Sequence, residues 1–269
     1  MRSICHGGYN AADPPRSGFV VGLTVVAAQP ARTPGTYVHF NGIDQYIEIP
    51  GSPDLSVSPH GLTVSAWMKP DTLTFSHEEG SGYVHWMGKG DRGRQEWTFR
   101  MYSRDNTERP PRPNRISFYV FNPDGGLGVG SYFQDRIEPH RWIQVTGVAD
   151  SERTYIYRNG DLRRCDQYRG TAGGGCHAHP EVIQPVSADA PLRLGTRDLG
   201  SYFQGGLAGI RIWRRALTAS EIHLLYEKGE VPHRDLVAEY LLNEGRGNTA
   251  HDSVQGRDGT IMGATWIVP

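Results

Sequence analysis

From residue 37 onward the sequence alternates apolar and polar positions in short runs, and turn residues close each run. Successive side chains of an extended chain leave on opposite faces, so a period of two marks a half-buried strand. Such runs lie at 37–40, 45–49, 62–69, 83–88, 95–102, 115–121, 141–149, 153–158, 192–196, 207–213, 236–242 and 260–267. Asn159-Gly160, between TYIYR and DLRR, is a two-residue hairpin signal, because both central positions take positive φ. Pro123-Asp124-Gly125-Gly126 marks another turn. The stretch RDNTERPPRPN at 104–114 is a proline-rich loop that neither strand nor helix accommodates. With 34 Gly and 18 Pro the chain carries well more than the usual combined share of the two, as many short strands joined by tight turns require.

One segment reads as helix. Thr218 and Glu221 form a capping box, Ile222, Leu225 and Tyr226 make one apolar stripe, and Gly229 supplies the stop. A dozen strands and one short helix near the C-terminus predict an all-β fold, a two-sheet antiparallel β-sandwich.

Charge excludes two classes of partner. Lys and Arg number 28 against 29 Asp and Glu, so nothing global draws the chain to nucleic acid or to an anionic membrane. No apolar run approaches the length of a membrane span, and no membrane insertion is expected. The segment FVVGLTVVAA at 19–28 has two readings. It is either a secretory h-region ending at Val26-Ala27-Ala28, or a β-branched first strand followed by the loop QPARTPG. The first implies a secreted protein; the second leaves the compartment open between secreted and cytoplasmic. Residues 1–35 are therefore set apart as an N-terminal segment, and 36–269 form the folded domain. Cleavage after Ala28 would remove Cys5 and leave Cys165 and Cys176, a pair suited to a disulfide in an oxidising compartment; in the cytosol all three are thiols. His177 and His179 follow Cys176, but the spacing matches no standard zinc pattern.

Five blocks carry a resemblance: FNGIDQYIEIP at 40–50, LTVSAWMKPD at 62–71, RWIQVTGVADSERTYIYRNGDL at 141–162, GLAGIRIWRRALTASEI at 206–222 and LVAEYLLNEGRGNTAHDSVQGRDGTIMGATW at 236–266. Together they resemble the laminin-G-like, concanavalin-A-like jelly-roll domains. The resemblance implies a jelly roll over residues 36–269 and a range of roles: carbohydrate-binding modules, adhesion domains, pentraxin-like lectins and catalytic jelly rolls. It also implies a structural calcium beside the FNG turn, with Asn41, Asp44 and Asp252 at the matching positions. Asn and Asp also favour turns because they cap their own backbone. Where many relatives carry an Asp-Glu pair, this chain has Ala208 and Gly209, which removes two carboxylates. Trp67 and Trp142 are expected to anchor the space between the sheets, where a large ring buries the most area.

One sheet face stands out. On 95–102 Trp97, Phe99 and Met101 alternate with Glu96, Thr98, Arg100 and Tyr102. On 115–121 Ile116, Phe118 and Val120 alternate with Arg115, Ser117, Tyr119 and Phe121, and on 83–88 Val84 and Trp86 with Tyr83, His85 and Met87. One set is core; the other mixes rings with charges, unlike an ordinary Lys/Glu/Thr-rich wet face. Flat rings stack on sugar C–H faces, and charged hydrogen-bonders beside them orient a polar ligand. Arg115, Ser117, Tyr119, Phe121 and His140 are the candidate ligand-binding residues for a glycan or a polar small molecule. The bland alternative is a solvated face with β-favouring aromatics.

Catalysis has weaker support. The chain contains no E-x-D-x-x-E, G-x-S-x-G, H-E-x-x-H or P-loop string, and GGLGVG at 125–130 opens no helix that could cradle a phosphate. His85, Glu96, Arg100 and Tyr102 remain as an acid/base set of the kind a lyase, cyclase or isomerase uses. A glycan-binding, lectin-like protein is the leading expectation, an enzyme on the same face the alternative, and a protein-adhesion module a third.

Overall fold

A computed structural model describes residues 33–122, 128–169, 174–179, 183–185 and 187–269. The 19–28 segment and the turn at 123–126 lie outside the described residues. Period-two segments become the strands β1 (Tyr37–Asn41), β2 (Tyr46–Ile49), β3 (Leu62–Pro70), β4 (Tyr83–Asp91), β5 (Arg94–Tyr102), β6 (Ile116–Phe121), β7 (Gly128–Phe133), β8 (Ile143–Ala149) and β9 (Arg153–Arg158). They continue as β10 (Asp161–Gln167), β11 (His177–Ala178), β12 (Leu192–Leu194), β13 (Gln204–Trp213), β14 (Leu236–Tyr240), β15 (Thr249–Ala250), β16 (Gly259–Met262) and β17 (Thr265–Ile267). The helix α1 (Ala219–Lys228) sits between β13 and β14.

Two sheets stack. The first runs β11-β10-β9-β8-β3-β13-β1-β17, with β14 also paired to β13; the second runs β15-β16-β2-β12-β4-β5-β6-β7. Described pairs are antiparallel except β10–β11. The predicted run at 260–267 splits at Gly263, whose φ of 75° turns the chain so that β16 joins the second sheet and β17 the first. Between the sheets lies one apolar cluster that includes Phe40, Ile47, Val64, Met68, Trp86, Trp97, Phe99, Phe118, Val145 and Ile210. Each such side chain contributes about 1.5–3 kcal/mol by leaving water.

The helix covers the other side of the first sheet. Thr218 accepts from the Glu221 amide to close the capping box, and Gly229 at φ 68° ends the helix. Ile222 and Leu225 pack with Val148, Tyr157, Trp213 and Leu217 in a second cluster. Trp67 belongs here rather than between the sheets. Its neighbours Ala66 and Met68 point inward, so alternation turns Trp67 outward, against Tyr226 of α1 at 5.9 Å. Trp142 is half-buried, edge-on to Tyr37 at 5.1 Å, and the tryptophans in the core between the sheets are Trp86 and Trp97. Cys165 and Cys176 form a disulfide, with Cα atoms 4.9 Å apart, tying β10 to the chain just before β11.

Two bulges break the alternation where the sequence showed none. In the β4–β5 ladder His85 faces Arg100 and Met87 faces Phe99, so Trp86 is an extra residue, and both Trp86 and Met87 enter the core. Further along, Lys89 faces Trp97 while Gly90 faces Gln95, which makes Glu96 the extra residue.

Candidate functional site

With α1 on the first sheet, no helix among the described residues covers the outward face of the second sheet. Across β4 to β7 it presents Tyr83 and His85, then Thr98, Arg100 and Tyr102, then Arg115, Ser117, Tyr119 and Phe121, then Tyr132. The ladder sets these in register: Arg100 stands opposite His85 on one side and Ser117 on the other, and Ser117 stands opposite Tyr132. The predicted residues Arg100, Tyr102, Arg115, Ser117, Tyr119, Phe121 and His85 thus share one surface.

Tyr119 and Phe121 form a stacked pair, with centroids 6.1 Å apart and planes 26° from parallel. Glycine on the neighbouring strand makes room for them. A Cβ on Gly130 would lie 2.7 Å from Tyr119 Cγ, and one on Gly128 would lie 2.5 Å from Phe121 Cδ1. The alternate glycines of 125–130 that looked like a failed phosphate loop include, at Gly128 and Gly130, the seats of this aromatic platform.

Arg100 lies at the centre of an aromatic cradle, its guanidinium carbon 4.4 Å from the Tyr83 centroid, 4.4 Å from Tyr119 and 4.9 Å from Tyr102. Arg115 and Arg164 clasp the Tyr132 ring at 3.8 and 4.2 Å. Besides His85 Nδ1, which contacts Glu79, the buried polar atoms on this face without a hydrogen-bond partner include Arg100 Nε, Ser117 Oγ and Arg197 Nε. Buried polar groups are nearly always satisfied, so several orphans on one surface mark where an external partner fits. The proline-rich loop forms one wall: Arg112 donates to the Tyr102 hydroxyl at 2.9 Å and pairs with Glu108 at 3.4 Å.

Loops also contribute groups that periodicity could not locate. Glu79, from the segment before β4, contacts His85 Nδ1, and Arg197 pairs with Asp198 at 2.6 Å. Arg193 of β12 donates to the Arg197 carbonyl at 2.8 Å and so holds that loop. The Arg197 stem lies across Gly88, where a Cβ would come within 2.9 Å of its Cγ. Burial pushes the His85 imidazole down to about 4, Glu79 pulling only partly against it, so the ring is neutral at pH 7. Burial raises the Glu79 and Asp198 carboxyls, but His85 and Arg197 outweigh it and hold both below their usual range. Ligating atoms of Glu79, His85 and Asp198 lie within 4.8 Å of one another. Two carboxylates and a neutral imidazole could take a divalent cation or move a proton; Arg197 already supplies one positive charge there.

Three predicted placements differ. Glu96 is not on this face. Its bulge turns it inward, where Lys89 donates to Oε1 and Ser56 to Oε2, both at 2.5 Å. Met87 is turned inward by the Trp86 bulge. His140 belongs to the end of the first sheet, 3.4 Å from Asp71, whose other oxygen contacts His39 at 2.7 Å. The three positions expected for calcium act as turn caps. Asn41 Oδ1 accepts from the Ile43 and Asp44 amides, Asp44 Oδ1 accepts from Asn41, and Asp252 accepts from Glu239, Val254, Gln255 and Arg257.

A family model described as the concanavalin A-like lectin/glucanases superfamily matches residues 41–223. No curated protein matches the sequence. A crystal structure of a candidate carbohydrate-binding protein from Bacteroides ovatus superposes with a TM-score of 0.57 at 16% identity. The match covers 87% of this chain but only 60% of that one, so the chain spans about three fifths of its length. A heptameric SAP-like pentraxin from Limulus polyphemus gives a TM-score of 0.50 at 14% identity, over 85% of this chain and 96% of that one. These likenesses are to the fold.

Proposed function

The chain belongs to the concanavalin A-like lectin/glucanase superfamily, and from that premise we propose that it binds carbohydrate across β4–β7 of its second sheet. The observation that carries the reading is the Tyr119–Phe121 platform laid flat over Gly128 and Gly130, beside the unpartnered Arg100 Nε and Ser117 Oγ. A pyranose or furanose ring offers a C–H face to stack on such rings and hydroxyls that both donate and accept. A site of this kind needs a few fixed polar groups around an apolar floor. Family membership supports the reading, since lectins are among its members.

The test is Tyr119→Ala. Tyr119 is only part-buried, so its removal is expected to shift the melting temperature little, while mobility retardation in polysaccharide-containing native gels disappears. Retardation equal to the wild type would overturn the reading.

A further inference from the structure

Resting on the carbohydrate reading, we propose that the ligand carries an acidic group, a carboxylate or a sulfate, seated beside Ser117 between Arg100 and Arg115. Arginine pairing across the molecule motivates it. Among the described residues every buried or part-buried arginine has a carboxylate within ion-pair distance, except Arg100 and Arg115. A guanidinium withdrawn from water without a counter-charge is costly, and here the two exceptions share one face. Arg115 donates only to the neutral amide oxygen of Gln134, at 3.1 and 3.0 Å.

Their positions converge. Arg100 is directly opposite Ser117, and Arg115 is two residues before Ser117 on the same strand face, about 7 Å along it. Ser117 is fully buried, and its hydroxyl has no partner. Arg100 Nε is likewise buried and unpartnered. Two guanidinium groups and a hydroxyl are donors suited to a planar carboxylate or a tetrahedral sulfate, whereas a neutral sugar hydroxyl would leave both charges uncompensated. Glu79 and Asp198 on the β4 side are already engaged by His85 and Arg197, and Glu108, whose carboxyl is within range of the Arg100 charge, is paired with Arg112. Tyr132 and the cradle tyrosines stack on the cations without neutralising them.

The full chain is tested on an array of neutral, uronate-containing, sialylated and sulfated oligosaccharides. Acidic members are expected to be bound and their neutral counterparts not; the uronate and sialyl spots against the sulfated ones tell carboxylate from sulfate. Arg100→Gln is expected to weaken the best acidic hit at least tenfold, the value of a charge-assisted hydrogen bond. Arg115→Gln is expected to do the same, which keeps the test independent of any folding defect in one variant. Arg136→Gln, altering an arginine that is 87% exposed and pairs with Glu138, serves as the control and keeps wild-type affinity. Neutral glycans bound as tightly as acidic ones, or an equal loss in the Arg136 variant, would overturn the acidic-group inference while leaving the carbohydrate reading standing. An array with no bound glycan overturns both.

Discussion

Lys89 and Glu96 place a full cation and a full anion, neither exposed at all, inside an apolar sandwich. Burial pushes the Lys89 ammonium down and the Glu96 carboxyl up, so each resists its own charge. What holds them is mutual contact at 2.5 Å, with the Ala188 carbonyl completing Lys89 and the Ser56 hydroxyl completing Glu96. Lys89→Met alone leaves a carboxylate stranded and should cost about 3–5 kcal/mol in urea unfolding, whereas Lys89→Met with Glu96→Leu should recover most of that loss. If the single and double variants are equally unstable, packing and not charge governs the position. Glu96 also shows how a residue escapes reading from sequence. Strict alternation puts it beside Arg100 on the sheet surface, and one inserted residue in the ladder reverses it.

At the scale of the strand, β6 and β7 form a unit in which one supplies rings and the other supplies absence of side chains. Gly128→Ala would push a methyl within 2.5 Å of the Phe121 ring and 3.1 Å of the Val120 carbonyl. The ring must swing off the strand, so ligand affinity is expected to drop severalfold with a stability loss of about 1 kcal/mol, read by titration and thermal melting. Unaltered affinity would show that the platform does not touch the ligand. β7 had no period-two signal because glycine is depleted in strands and carries no side chain to alternate. The rings of β6 were legible, and the reason they can lie flat was not.

At the scale of the molecule, the sandwich could be read from periodicity and turn chemistry, because those features repeat in every strand. The site could be read only in its strand half. Glu79, Arg197 and Asp198 arrive on loops, which have no period, and only folding brings them to His85. That convergence gives the stability a pH signature. His85 falls from 6.5 to about 4 on folding, so the unfolded chain takes up its proton first. Its contribution is fully present above pH 6.5 and is lost as the pH falls toward 4, about 2 kcal/mol having gone by pH 5. The depressed Glu79 and Asp198 carboxyls add a loss of the same sign lower down. Urea midpoints at pH 7 and pH 5 should therefore converge in a His85→Gln variant; an unchanged gap would remove His85 from the account.

Along β6 the outward Ser117, Tyr119 and Phe121 alternate with the packed Ile116, Phe118 and Val120. Drift at Arg100, Ser117 or Tyr119 leaves Phe99, Phe118 and Val120 where they are. A lineage built on this scaffold can therefore exchange one taste for another without relearning how to fold.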